Sequence, residues 1–329
     1  MPSIALSDAS GLSAAPNYLV PFAQVAQTIR AVPAALAVPQ IDAKKSAEAR
    51  RLFELEQLDV SWEQPTGALW TFMRPRGRPS YNLDLLQDFH AWQHCISTVF
   101  TDRPEDLRYL VIGSRTPGVF NLGGDLDYFL AKIRARDRQA LVAYGESCVR
   151  ILHRNLNSLG LPMTTIGLAQ GDALGGGFES LLSFNVIIAE RGAKFGFPEN
   201  LFGLFPGMGA YSLLARRLGA ARAEDMILSG RTYSAEEMKD AGLVHILAEP
   251  GQGIAEARDY IRRNKRRHNG IRAVYQAGRE VNPLMLEELD RIVQVWADAC
   301  LQLRARDLKV MQRLVSAQDR LESPLQAAE

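Results

Sequence analysis

Cysteine is scarce in this 329-residue chain: Cys95, Cys148 and Cys300 are far apart and show no C-x-x-C spacing. That excludes a disulfide framework and a zinc site built on paired cysteines, and makes a reducing, cytoplasmic location the expectation. An excess of one charge is lacking as well, with 38 basic against 37 acidic residues and a net charge of +1. No whole-molecule attraction to nucleic acid or to an anionic membrane follows, so an electrostatic partner must be recognised by a local patch. No run of about 18 apolar residues exists, the length a membrane-spanning helix needs. Met1-Pro2-Ser3-Ile4-Ala5 lacks the basic and apolar regions of an export signal. P-loop and dinucleotide-binding fingerprints are missing too. His90 and His94 stand four apart without the glutamate of H-E-x-x-H or a third ligand nearby, so no metal site is expected. What the chain has is apolar residue, 47% of the whole, enough for one large core and an appendage.

Residues 1–50 are rich in Ala, Pro, Ser and Val without sustained period and read as a loosely structured extension. Regular patterning begins near Arg51. Leu58–Glu63 and Ala68–Met73 alternate as strands joined by a turn at Pro65-Thr66-Gly67. Asn82–Phe100 reads as a helix, and Tyr109–Gly113 as a strand buried on both faces. A helix over Ala140–Leu159 follows, then apolar strands at Met163–Ala169 and Phe184–Ala189. This alternation predicts an α/β architecture with a mostly parallel sheet. Further on, helices are expected over Tyr211–Leu218 and Ala220–Leu228, and after Ser234, where Glu237 completes a capping box. Leu243–Leu247 reads as a last strand, and Pro283 to about Leu321 as one long amphipathic helix with Trp296 on its apolar stripe.

Three glycine-rich segments each lead to an acid: Phe120-Asn121-Leu122-Gly123-Gly124-Asp125-Leu126, Ala173-Leu174-Gly175-Gly176-Gly177-Phe178-Glu179 and Phe195-Gly196-Phe197-Pro198-Glu199. Glycine allows a backbone to approach a ligand closely. A helix opening there points unpaired N–H groups outward. Such groups suit a developing oxyanion, and a nearby carboxylate suits proton transfer. Glu179 and Glu199 lie between apolar neighbours, where desolvation raises a carboxyl pKa. Asp125 reads as a helix cap.

Taken together the three segments resemble the crotonase superfamily, the enoyl-CoA hydratase/isomerase family, over roughly Val60–Leu247. The resemblance implies a spiral core of repeated ββα units, here residues 51–250, followed by a helical region over 251–329. It places backbone oxyanion donors at Gly124 and Gly176 and the two acids of a hydratase at Glu179 and Glu199, whose 20-residue separation matches that pattern. The run from Phe195 to Ser212 is more similar to the bacterial diffusible-signal-factor synthases. That branch implies a bifunctional enzyme that dehydrates a 3-hydroxyacyl-carrier protein and hydrolyses the thioester, releasing a cis-2-unsaturated fatty acid used as a cell-to-cell signal. An acyl pocket is then expected from Leu174, Leu204, Met208 and Trp296. No cofactor is expected beyond the acyl carrier protein or coenzyme A that carries the substrate, and trimers or hexamers are the family's habit.

Two alternatives stand beside this reading. One is a plain enoyl-CoA hydratase of fatty-acid metabolism. The other is a regulator that binds acyl thioesters, or the sensor histidine kinase that restrains the synthase branch, without turnover. The basic run Arg262–His268 reads either as a solvated helix face or as a docking patch for an acidic carrier. Without interleaved aromatics it does not point to nucleic acid.

Overall fold

A computed structural model describes residues 43–326, with side chains over 47–318. The extension expected over residues 1–50 therefore lies outside the described residues up to position 42. From Ala43 to Leu52 the chain is helical (α1).

The described strands form two sheets. The larger contains β1 (Leu58–Glu63), β2 (Ala68–Met73), β3 (Tyr109–Ser114), β5 (Thr164–Ala169), β7 (Val186–Glu190) and β10 (Ile246–Ala248), hydrogen-bonded in that order. β1 and β2 are antiparallel, and every other pairing in this sheet is parallel. The smaller sheet contains β4 (Val119–Asn121), β6 (Asp172–Leu174), β8 (Lys194–Gly196) and β9 (Thr232–Ser234). The chain thus visits the large sheet, then the small one, then a helix, and repeats: β3–β4, β5–β6 and β7–β8 are successive turns of one spiral. The expected α/β class and ββα repeat are the architecture observed.

Burial on both faces explains why these strands read as unbroken apolar runs. Alternate residues point opposite ways. Trp70, Phe72, Val111, Ile166 and Ile188 pack with Ile254, Ala257 and Ile261 of α9 (Gly253–Asn264) on one side. Leu69, Leu110 and Ala169 face the main core on the other. There lie α2 (Leu83–Phe100), capped by Asn82, and α3 (Leu126–Arg134), capped by Asp125. α4 (Arg138–Leu156) and the short α5 (Gly176–Leu181) complete that side near the turns.

The structure departs from the sequence reading at several ends. α4 stops at Leu156, because Ser158 and Leu159 take positive φ in a 3-10 turn that redirects the chain into β5. After α6 (Ala210–Leu218), α7 (Ala220–Ser229) and α8 (Ala235–Asp240), the last strand starts at Ile246 rather than Leu243. The Leu243 and Val244 N–H groups both close onto Met238 O, so they end α8 instead of joining the sheet. The single C-terminal helix is two. After α10 (His268–Val281), α11 (Leu286–Leu301) packs along α4, and α12 (Ala305–Gln326) turns back to pack on α3 and the 198–202 turn. At the break, Asp307 Oδ2 accepts from the Arg304 N–H at 2.9 Å and caps the new helix, while Met311 and Val315 are buried.

Candidate active site

The two acids are held by turns that pack on each other. Phe178, beside Glu179, stacks on Phe197 at 5.0 Å and meets Phe195 edge-on at 5.3 Å. Aromatic contact thereby fixes α5 against the 3-10 turn Pro198–Phe202 that carries Glu199. Gly175 has φ +52°, and a Cβ there would lie 2.3 Å from Glu199 Oε1, so only glycine lets the carboxylate lie against the turn.

Glu179 is 0% exposed. Its Oε1 accepts from the Met208 N–H at 2.8 Å and the Ala210 N–H at 3.0 Å, which fixes the side chain. Its Oε2 and the Oε2 of half-buried Glu199 are out of solvent and without a protein partner among the described residues. Burial pushes the Glu179 carboxyl up to about 7, offset in part by those two N–H donors. Burial, and the charge of Glu179 nearby, push Glu199 up to about 8. Between those values the pair shares one proton, the complement that an acid and a base working together need.

The first glycine segment abuts the second. Gly123 takes φ +95°, its N–H donates to Asn121 Oδ1 at 2.7 Å, and its carbonyl accepts from the Tyr81 N–H at 2.8 Å. A Cβ on Gly123 would lie 2.9 Å from the Gly176 nitrogen, so the two turns are in direct contact. The hydroxyl of Tyr144 supports this turn, accepting from the Asp125 N–H and donating to Tyr81 O. Among the described residues, the Gly124 and Gly176 N–H groups have no backbone acceptor.

A cavity of about 620 Å³ opens beside these groups, within the range of about 300–1,000 Å³ typical of small-molecule sites. Gly124, Leu174, Glu179, Glu199, Leu204, Met208 and Trp296 all line it. Gly176 does not. Met208 covers it, so that a Cβ on Gly176 would meet Met208 Cε at 2.5 Å, and Gly176 faces a smaller cavity behind. Trp296 is both wall and core: it meets Phe129 edge-on at 5.1 Å and packs against Gly207, where a Cβ would lie 2.4 Å from its ring. Sequence reasoning missed Leu314, Ala317 and Gln318, which α12 brings to the mouth. Their only signal was an apolar stripe on a helix whose break was not foreseen. The basic run sits elsewhere. Arg262 pairs with Asp259 and Arg263 with Glu256 on α9, which packs on the sheet face opposite the cavity.

The family model described as enoyl-CoA hydratase/isomerase matches residues 71–282. Among curated proteins, the chain is 34% identical over 153 residues to mitochondrial methylglutaconyl-CoA hydratase of Rattus norvegicus, covering 46% of each protein. It is 34% identical over 206 residues to the mevalonyl-coenzyme A hydratase SIDH of Beauveria bassiana, covering 60% of this chain and 70% of that one. Against the methylglutaconyl-CoA hydratases the chain spans about half the relative's length. Among solved structures, enoyl-CoA hydratase from Bacillus halodurans superposes with a TM-score of 0.65 at 19% identity, over 79% of this chain and 100% of that one. That likeness concerns the fold. Pseudomonas aeruginosa DspI superposes with a TM-score of 0.57 at 26% identity, over 73% of this chain and 95% of that one.

Proposed function

Since the chain belongs to the enoyl-CoA hydratase/isomerase family, we propose that it acts on acyl thioesters, removing water from a 3-hydroxyacyl-carrier protein and hydrolysing the thioester to release a cis-2-unsaturated fatty acid of the diffusible-signal-factor type. The observation that carries this reading is the pair of unpartnered, desolvated carboxyls of Glu179 and Glu199 facing one cavity next to two abutting glycine turns.

The proton α to a thioester is too weakly acidic for a carboxylate to remove unaided, so the enolate must be stabilised as it forms. In this reading the Gly124 and Gly176 N–H groups do this, once the flexible Met208 methyl moves off Gly176. Glu199 takes the α proton and Glu179 gives its proton to the departing 3-hydroxyl, which leaves as water. Glu179 is then ionised beside the enoyl thioester. It can accept a proton from a second water that adds to the carbonyl carbon, the same two N–H groups hold the tetrahedral oxyanion, and its collapse breaks the C–S bond to expel the thiolate, which takes that proton back from Glu179. With the shared proton on Glu199 instead, the pair is set to add water across a double bond. Leu174, Leu204, Met208 and Trp296 offer an apolar wall to an acyl tail.

A second reading, plain hydration of an enoyl-CoA, is favoured by the hydratase names of the relatives. Incubation with 3-hydroxydodecanoyl carrier protein, with mass spectrometry of the free acid and NMR of its double bond, separates the two. Free cis-2 acid supports the proposal; reversible trans-2-enoyl-CoA hydration without acid release overturns it. Binding of thioester without any turnover would leave the protein a sequestering regulator.

A further inference from the structure

Behind Glu179, between α2, α4 and α5, lies a second cavity of about 50 Å³. Its wall is mostly apolar, with Leu86, Phe89 and Ile151, yet two buried amides line it: Gln93, 0% exposed, and Asn155, 5% exposed. Their neighbours fix which way each amide points. Gln93 Nε2 donates to Ile151 O at 2.8 Å, so Oε1 is the free end. Ser183 Oγ gives its one proton to Ser180 O at 2.6 Å and must therefore accept from Asn155 Nδ2, at 2.7 Å, which leaves Asn155 Oδ1 free. Both free oxygens are buried without a protein partner, as is Glu179 Oε2, and Glu179 lines this cavity too.

The remaining polar groups on the wall have already committed their protons. Tyr81 Oη donates to Ser180 Oγ at 2.7 Å, and Ser180 Oγ donates to Gly177 O at 2.9 Å. Besides the Gly176 N–H, assigned above to the oxyanion, only the Cys148 thiol, a weak donor, is left. Three acceptors around one space require more donors than this wall supplies. An acyl tail supplies none. A single water needs roughly 10–15 Å³ of such volume and two or more polar partners, and the cavity meets both conditions.

We propose that this cavity binds two waters, one donating to Gln93 Oε1 and Asn155 Oδ1 and accepting from the other, which donates its second proton to Glu179 Oε2 from the side away from the substrate. Gln93 and Asn155 are then positioning residues for Glu179, acting through bound water. The role in catalysis rests on the acid–base assignment of Glu179 above; the hydration itself does not. When an acyl chain fills the outer cavity, the inner water keeps the carboxylate form of Glu179 solvated. The titratable groups facing Glu179 are Glu199 from its turn, Cys148 from α4 and Tyr81 ahead of α2, and loss of the water changes none of them.

The test is a high-resolution crystal structure of the full chain, native and under xenon pressure. Water density within about 2.7–3.2 Å of both amide oxygens, and no xenon, is the expected result. Xenon in the cavity, or a cavity without density, overturns the proposal, because dry apolar cavities take up xenon. This arm reads the same whatever the substrate proves to be, so failure of the assigned reaction and failure of the chamber are distinct results. In solution, Gln93→Met and Asn155→Leu should lower kcat about tenfold with KM unchanged and move the Glu179 limb of the pH–rate profile up by roughly one unit. A folded variant with the parent profile overturns the positioning role.

Discussion

Gly123 and Gly192 form a matched pair for testing whether contact between the two glycine turns sets the rate. Their backbones are nearly identical in the critical torsion, φ +95° and φ +96°. An alanine at either position is strained in that region by about 1–3 kcal/mol. Their surroundings differ completely. Around Gly192, in the turn between β7 and β8, a new Cβ has nothing within 4 Å. At Gly123 it would lie 2.9 Å from the Gly176 nitrogen and 3.0 Å from Leu174 O, both backbone atoms that no rotamer change can move. Restoring ordinary contact, which begins near 3.4 Å, parts the turns by about 0.5 Å, the margin within which catalytic groups must be held. Both variants should therefore lose stability in urea denaturation, Gly123→Ala at least as much as Gly192→Ala. Only Gly123→Ala should also lose about 10²-fold in kcat on whichever thioester the parent turns over, approaching the 10²–10³ cost of a missing oxyanion donor. A Gly123→Ala protein with kcat within twofold of Gly192→Ala would refute the assignment of Gly124 and Gly176 as a working pair.

Glu179→Gln and Glu199→Gln should each abolish turnover while leaving the circular dichroism spectrum unchanged. Because burial raises the Glu179 carboxyl from 4.5 to about 7, the folded state holds that proton more tightly than the unfolded chain, and stability falls as pH rises between those values. Glutamine cannot ionise, so Glu179→Gln should match the parent at pH 4.5 and exceed it at pH 8 by up to on the order of 3 kcal/mol; equal stability at pH 8 would contradict the burial argument. The pH–rate profile should be bell-shaped with its maximum between about 7 and 8, the values to which Glu179 and Glu199 are raised, and a flat profile from pH 6 to 9 would contradict a shared proton. At the far wall, a Cβ on Gly207 would lie 2.4 Å from the Trp296 ring. Gly207→Ala should thus destabilise the parent strongly and cost less in a Trp296→Ala background, where the ring is gone and only the Cβ of position 296, 2.7 Å away, still has to give; additive losses in that double-mutant cycle would deny the ring contact.

How far the sequence could be read depended on what each position is asked to supply. The strands Leu58–Glu63 and Ala68–Met73 were legible to the residue because six positions of alternation, or of unbroken burial, leave little choice of face. β4, β6 and β8 are three residues each, too short for any period to register, and the sequence reading assigned no strand at any of them. The polar centre of the site was legible for a different reason. Gly175 and Gly123 occupy conformations and contacts closed to other residues, and carboxylates cannot be replaced by apolar groups of the same size, so composition there carries chemical meaning. The walls carry none of that restriction. Leu314 and Ala317 reach the cavity because α12 folds back after Gln302–Arg304, a break without glycine or proline that tertiary burial of Met311 and Val315 stabilises. Any apolar residue on that stripe would have given the same sequence signal whether or not the helix turned back. Gly207 lies between these cases. Its place beside a motif was visible, but its reason is a tryptophan 89 positions later in the chain, and only the packed structure joins the two.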